Sequence, residues 1–259
     1  MGMLITVPGA DWSASLAPGI VNYDGVMQDL SGGLFWSTAD AANLAVDGSN
    51  NVSLWSDRLG LADFSQGAAA RQPAFVSGET IGSEDYGVIE LDKTAAEFMS
   101  WLGSFPTGAD YTKIAIVKKT VDLSTAEHLL SDTLTPYHYM QFLDNGGYKL
   151  RAQNGSGDFA QNQTAIPGLD TWMLVEAAWD ESTGTIYVSV DGGSWVSATT
   201  AGATNTSALL KLGAGGSVGG LNAMVREVAL SSECFALAEF ADERALYLQR
   251  FASLYGIGA

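Results

Sequence analysis

Residues 171–192 read TWMLVEAAWDESTGTIYVSVDG. In an extended chain successive side chains point to opposite faces. Met173, Val175, Ala177 and Trp179 therefore share one face, and Glu176 falls on the other. After Glu181-Ser182-Thr183-Gly184 the alternation resumes, with Ile186, Val188 and Val190 on one side and Tyr187 opposite. Two alternating runs around a Gly-bearing turn predict a β-hairpin with one apolar face. Trp179, Val188 and Val190 are its expected core residues.

The same grammar extends in both directions. YHYMQFLD and YKLRAQ flank Asn145-Gly146-Gly147, whose tolerance of positive φ makes a second hairpin. LFW, VSLW, GVIEL and KIAIVKKT are further short β-like runs between turn signals. Thirty glycines suit many strands joined by tight turns. Regularly spaced strands of this kind predict an all-β, two-sheet antiparallel sandwich. Two helical pieces interrupt the pattern. A short one is expected over Thr94–Leu102 (TAAEFMSWL). A longer one is expected over Leu237–Leu254, where Leu237, Phe240, Ala241, Leu246, Leu248, Phe251 and Leu254 fall near helical spacing. Gly256 is its expected stop. No repeat and no linker divides residues 31–259, which read as one domain. Residues 1–30 stand apart, broken by Pro8, Gly9, Pro18 and Gly19 and too short to bury a core of their own.

Composition narrows the function classes. The chain has 259 residues, 47% hydrophobic and 16% charged, the balance of a folded globule. Its formal charge is -17, so phosphate backbones and anionic membrane surfaces repel it. Nucleic-acid binding and membrane insertion are not expected, and no basic, apolar leader of the secretory kind starts the sequence. Cys234 is the single cysteine, which excludes an intrachain disulfide and a Cys-rich zinc site. It reads as a small buried hydrophobe.

The central hairpin resembles that of laminin-G-like and concanavalin A-like domains. Trp172, Val175, Trp179, Asp180, Gly184, Tyr187, Val190, Asp191 and Gly192 match the pattern of a Trp, alternating apolar residues, Trp-Asp, a Gly turn and Val-Asp-Gly. LFWSTADAANLAVDGSNNVSLWSDRLG is similar to the opening segment of such domains, and KLGAGGSVGGLNAMVREVALS to their late strand pair. A C-terminal helix ending in LYG is common in bacterial and phage members. The resemblance implies a concanavalin A-like jelly roll over residues 31–259. It is weak on function, because this fold hosts lectins, adhesins, enzymes and structural modules.

Catalytic chemistry is sparse. Glycosidases of this fold carry alternating carboxylates on a strand. Here Glu90 and Asp92 of EDYGVIELD are the best candidates, with the third carboxylate missing. His138 alternates with Met140 and Phe142 and reads as a satisfied histidine rather than a general base. No serine elbow, phosphate loop or dinucleotide fingerprint is present. The expectation is that the chain is not an enzyme and has no catalytic residue. No motif demands a cofactor. Calcium is the one ion the resemblance allows, at turn aspartates such as Asp57, Asp144, Asp180 and Asp191, although turn aspartates ordinarily bond nearby backbone.

A glycan face is the sharper expectation. Tyr137, Tyr139 and Gln141 lie opposite the His-Met-Phe face, Lys149 and Arg151 oppose Tyr148, Leu150 and Ala152, and Glu176 and Tyr187 are the non-core positions of the central hairpin. Aromatic faces with amides and charged donors suit sugars. The plainer alternative is a polar sheet surface in which Lys149 or Arg151 pairs with Glu176. The start ITVPGADWSAS is similar to leaders of phage structural proteins that precede laminin-G-like domains. That resemblance implies a virion protein of tail, fibre or surface decoration, assembled in the host cytoplasm, whose sandwich recognises a host-surface carbohydrate. Residues 1–30 would attach it to virion subunits or to further copies of itself, with Trp12 as anchor. A cementing module without glycan binding and a concanavalin A-like glycosidase are the alternatives.

Overall fold

The computed structural model describes residues 23–122, 126–132, 138–144, 147–155, 158–162, 166–199, 204–214 and 220–257. In chain order its strands are β1 (Gly33–Thr38), β2 (Leu44–Val46), β3 (Val52–Trp55), β4 (Phe64–Ser65), β5 (Ala74–Ile81) and β6 (Glu84–Leu91). There follow β7 (Met99–Trp101), β8 (Tyr111–Lys119), β9 (Glu127–Ser131), β10 (His138–Asp144), β11 (Tyr148–Asn154) and β12 (Phe159–Gln161). The last five are β13 (Trp172–Asp180), β14 (Thr185–Val190), β15 (Val196–Thr199), β16 (Lys211–Leu212) and β17 (Ala223–Ser231). Helix α1 (Tyr23–Gln28) precedes the sandwich, and α2 (Ala241–Tyr255) closes the described chain.

The strands form two antiparallel sheets. One has eight strands in the order β15-β14-β13-β8-β17-β6-β5, with β1 also paired to β17. The other has nine, ordered β12-β11-β10-β9-β16-β7-β4-β3-β2. Between them lies the main core. Trp179 and Val188 are fully buried in it beside Phe35, Trp55, Phe64, Met140, Phe142 and Leu150, and Val190 packs at its margin. The hairpin of residues 171–192 has the expected register, with Val175 opposite Val190, Ala177 opposite Val188 and Trp179 opposite Ile186. The two-sheet sandwich with a C-terminal helix thus holds.

A second core was not legible in the alternation. Leu174, Ile114, Ile116, Val88 and Trp36 point away from the inter-sheet core, and α1 and α2 cover them with Met27, Leu30, Tyr247, Phe251 and Tyr255. The eight-stranded sheet is therefore buried on both faces, and all nine residues of β8 are buried. Residues 23–30 belong to this layer: Met27 and Leu30 are in its core, and Arg58 pairs with Asp24.

Two helical expectations meet different outcomes. Thr94–Leu102 is a turn followed by β7, not a helix. Asp92 accepts the Thr94 N–H, Glu97 caps the Asp92 N–H, and Ala96 sits at φ 54°, which ends helical propagation. Met99 and Trp101 then go into the core while Ser100 points out, a period of two. The C-terminal helix does form, and Gly256 stops it in the left-handed conformation at φ 67°, its N–H on the Ala252 carbonyl. Its buried stripe differs from the expected one. Tyr247, Arg250, Phe251 and Tyr255 face the sheet, whereas Leu246 is exposed. The reason is the surface beneath, where two carboxylates demand amphipathic partners.

Candidate functional site

Those carboxylates are Glu176 and Glu227. Glu176, expected on a ligand face, is wholly buried under α2. It takes a bidentate contact from Arg244, with Nε at 3.1 Å and Nη2 at 2.7 Å, and the Tyr247 hydroxyl donates to it. Glu227 on β17 accepts from the Trp36 indole at 2.7 Å and the Tyr255 hydroxyl at 2.7 Å, and pairs with Arg250 at 2.8 Å. Burial and these carboxylates push both tyrosine hydroxyls well above their ordinary range. Glu176 is therefore an anchor for the helix, and neither Lys149 nor Arg151 pairs with it. Tyr187 lies on the same outer face nearer the sheet edge, half-buried against Trp195, with ring centroids 6.2 Å apart. Arg244 lies over the other aromatic of that pair, 4.5 Å from the Trp195 ring.

The remaining expected residues sit in the other sheet. Tyr139, Gln141, Lys149 and Arg151 share the outer face of the nine-stranded sheet, so the seven residues do not form one site. Tyr137 and Trp12 lie outside the described residues. Register arranges this outer face in cross-strand rows. His128, Gln141, Arg151 and Gln161 form one row, and Ser131, Tyr139, Gln153 and Phe159 the next. Directly opposed side chains in an antiparallel sheet lie close enough to act together.

Exposure falls one strand away from where the alternation placed it. Tyr139, Gln141 and Lys149 are each under 9% exposed. Tyr139 stands edge-on to His128 at 5.5 Å, and burial, aided by the Lys113 charge, pushes His128 down to about 4. The open part of the grid is at the β11–β12 edge. Phe159 is 41% exposed, and the Arg151 guanidinium lies 3.7 Å from its ring centroid. Gln161 Oε1 fixes that guanidinium by accepting from its Nε at 3.2 Å and Nη2 at 2.9 Å. Gln153, opposite Phe159, donates to the Gly155 carbonyl at 3.1 Å. An aromatic ring, a cation and two amides are thus presented together. Phe159 had no role in the sequence reading. Its signal was an aromatic set among amides in DFAQNQ, too short for an alternation argument.

The turn aspartates are structural. Asp57 Oδ1 and Oδ2 accept backbone N–H groups of Trp36, Leu59, Leu61 and Ala62. Asp180 holds Ser182 and Thr183, Asp191 holds the Leu174 N–H, and Asp144 holds the Gly147 N–H. Among the described residues no three His, Cys, Asp or Glu side chains are grouped to hold a metal. Glu90 and Asp92 line an open cleft of about 470 Å³ with Glu97, Thr120 and Asn222 at one end of the sandwich. Burial and the neighbouring Asp92 and Glu90 charges raise the Glu97 carboxyl. Cys234 is buried, as expected, and burial pushes its thiol up to about 12. No described helix is long and apolar enough to cross a membrane.

No known family profile matches the chain. No curated protein matches it in sequence. Solved structures do match in fold. Trypanosoma rangeli sialidase aligns over 88% of this chain and 37% of its own, at 15% identity and a TM-score of 0.51. Domain 4 of AbnA, an extracellular GH43 arabinanase from Geobacillus stearothermophilus solved with arabinotriose, aligns over 83% of this chain and 98% of its own, at 15% identity and a TM-score of 0.51. The binding domain of Paraclostridial Mosquitocidal Protein 1 aligns over 88% and 53%, at 11% identity and a TM-score of 0.52. The chain spans little more than a third of the sialidase, and these likenesses establish the sandwich fold.

Proposed function

We propose that this chain is a non-catalytic carbohydrate-binding module, with its site on the outer face of the nine-stranded sheet around Arg151, Phe159 and Gln161. The observation that carries this reading is the half-exposed Phe159 ring backed by the Arg151 guanidinium, with Gln161 and Gln153 beside it. A sugar stacks its C–H face on such a ring and hydrogen-bonds its hydroxyls to amides and guanidinium. Two similar structures support it, one an arabinanase domain solved with arabinotriose, the other a binding domain. In its fuller form the proposal makes the protein a phage virion adhesin. The sandwich recognises a host-surface glycan, and residues 1–22, the part of the N-terminal segment that precedes the helix α1 packed on the sheet, attach it to virion subunits or to further copies. That part rests on the leader's resemblance to phage structural proteins.

The test is a glycan array followed by titration of the best ligand. Binding should weaken at least tenfold in Phe159→Ala while the melting temperature holds. Absence of any glycan ligand would favour the cementing alternative. Reducing ends released from a polysaccharide and lost in Glu90→Gln would make the chain a hydrolase. Deleting residues 1–22 should leave a folded sandwich that no longer joins its particle or oligomer; normal assembly would place the attachment surface elsewhere.

A further inference from the structure

Lys113 lies on β8 with its side chain directed between the sheets and is fully buried. Its Nζ donates to the Leu130 carbonyl at 3.0 Å and bonds His138 Nδ1 at 2.6 Å. The amine also lies 4.9 Å from the Phe105 ring centroid and 5.3 Å from that of Tyr111. His138 stacks on Phe105 at 4.1 Å, and its Nε2 reaches the Leu209 carbonyl at 3.1 Å. With Nδ1 accepting from the lysine, Nε2 carries the proton and donates to Leu209. Leu209 belongs to a strap, residues 204–210, that precedes β16 and lies along the chain after β7. Phe105 N–H donates to the Ala208 carbonyl at 2.8 Å and Trp101 N–H to the Leu210 carbonyl at 2.9 Å. Asn205 ties the strap to the Pro106 carbonyl at 3.2 Å.

We propose that Lys113, His138 and the Leu209 carbonyl form a proton-controlled latch that fastens this strap to the interior, tight when the lysine amine is neutral and loosened when it is charged. The donor count supports this sense. A neutral amine has two N–H groups, and Leu130 O and His138 Nδ1 are two acceptors. An ammonium adds a third N–H that meets ring faces, and it places a full charge in a core that solvates it poorly. The titratable groups around it are Asp132 at the end of β9, His128 on β9, His138 on β10 and Tyr111 on β8 itself.

Burial pulls the Lys113 amine down to about 7, with the Asp132 charge opposing. Burial also holds His138 well below its usual value, and His128 at about 4, so both imidazoles are neutral where Lys113 titrates. Tyr111 is pushed up by its burial and titrates far above this range. When the strap opens and water reaches Lys113, its pKa returns toward the usual 10.5, so opening takes up a proton between pH 7 and 10.5. The open population then falls by up to about tenfold per pH unit as pH rises through that window, and Lys113 adds no pH dependence below it.

Amide hydrogen exchange of Phe105 and Trp101, corrected for intrinsic chemistry, reads the strap directly. Protection should rise at least tenfold between pH 7 and 9 in the unmodified protein and stay flat in Lys113→Met. An NMR titration of the Lys113 Nζ in the unmodified protein should give a midpoint near 7, whether or not the variant folds. A midpoint near 10.5, or an unchanged pH slope in Lys113→Met, would overturn the latch.

Discussion

Glu176 on β13 and Arg151 on β11 each point outward from a hairpin of their sheet, β13–β14 and β10–β11. Glu176 is wholly buried, and Arg151 is half-exposed. The difference is a third layer. Helix α2 lies across the eight-stranded sheet and sends Arg244 and Tyr247 to Glu176 on β13, then Arg250 and Tyr255 to Glu227 on β17. Nothing comparable among the described residues covers β11 and β12, where Arg151 and Phe159 meet solvent. The same residue types therefore serve as anchors on one face and as a candidate ligand platform on the other. Two buried ion pairs under a helix are a demanding way to attach it. They fix its crossing and rotation, since each carboxylate accepts only correctly placed donors.

Mutations sharpen the comparison, from deepest to shallowest. Trp179→Ala removes one of the largest side chains of the inter-sheet core, and should cost about 3–5 kcal/mol in chemical denaturation. A smaller loss would mean that the sheets collapse onto the gap. On the helix side, Glu227→Ala leaves the Arg250 charge buried without its carboxylate and should cost about 3–5 kcal/mol. Replacing Glu227, Arg250 and Tyr255 together by Leu, Met and Phe should restore most of that stability. If the triple variant is as unstable as the single one, the ion pair and its hydrogen bonds, rather than apolar packing, hold the helix. On the open face, Arg151→Ala should change stability by less than about 1 kcal/mol, because a partly exposed guanidinium on an aromatic ring contributes little. A larger loss would make that face structural and weaken its reading as a binding surface.

Much of the sandwich was legible because strand alternation is a local property. Met173, Val175, Ala177 and Trp179 had to share a face whatever surrounded them, and the Ser-Thr-Gly segment had to turn. Thr94–Leu102 misled because Ala, Glu and Leu favour helix by composition. The side chains of Asp92 and Glu97, bonding local backbone N–H groups, closed a turn instead. The stripe of α2 misled for a different reason. Apolarity pointed to Leu246, but the sheet beneath selected Tyr247 and Arg250.

The candidate site was half legible. Alternation correctly placed Tyr139, Gln141, Lys149 and Arg151 off the core, while Phe159 entered through pairing of β12 with β11, a contact that no local pattern announces. Lys113 is a stronger case. In KIAIVKKT it looks like the solvent-facing end of a strand, and it becomes an interior amine because Leu130, His138 and Phe105 arrive from elsewhere in the chain.

By itself the sequence determined the hairpins, the apolar inward faces of their strands and the presence and stop of the terminal helix, all set by interactions between near neighbours along the chain. The tertiary structure decided which sheet the helix covers, which outward residues see water and where charge is buried. Those depend on contacts between residues far apart in sequence, such as the 68 positions that separate Glu176 from Arg244, and alternation carries no information about what lies beyond the face it defines.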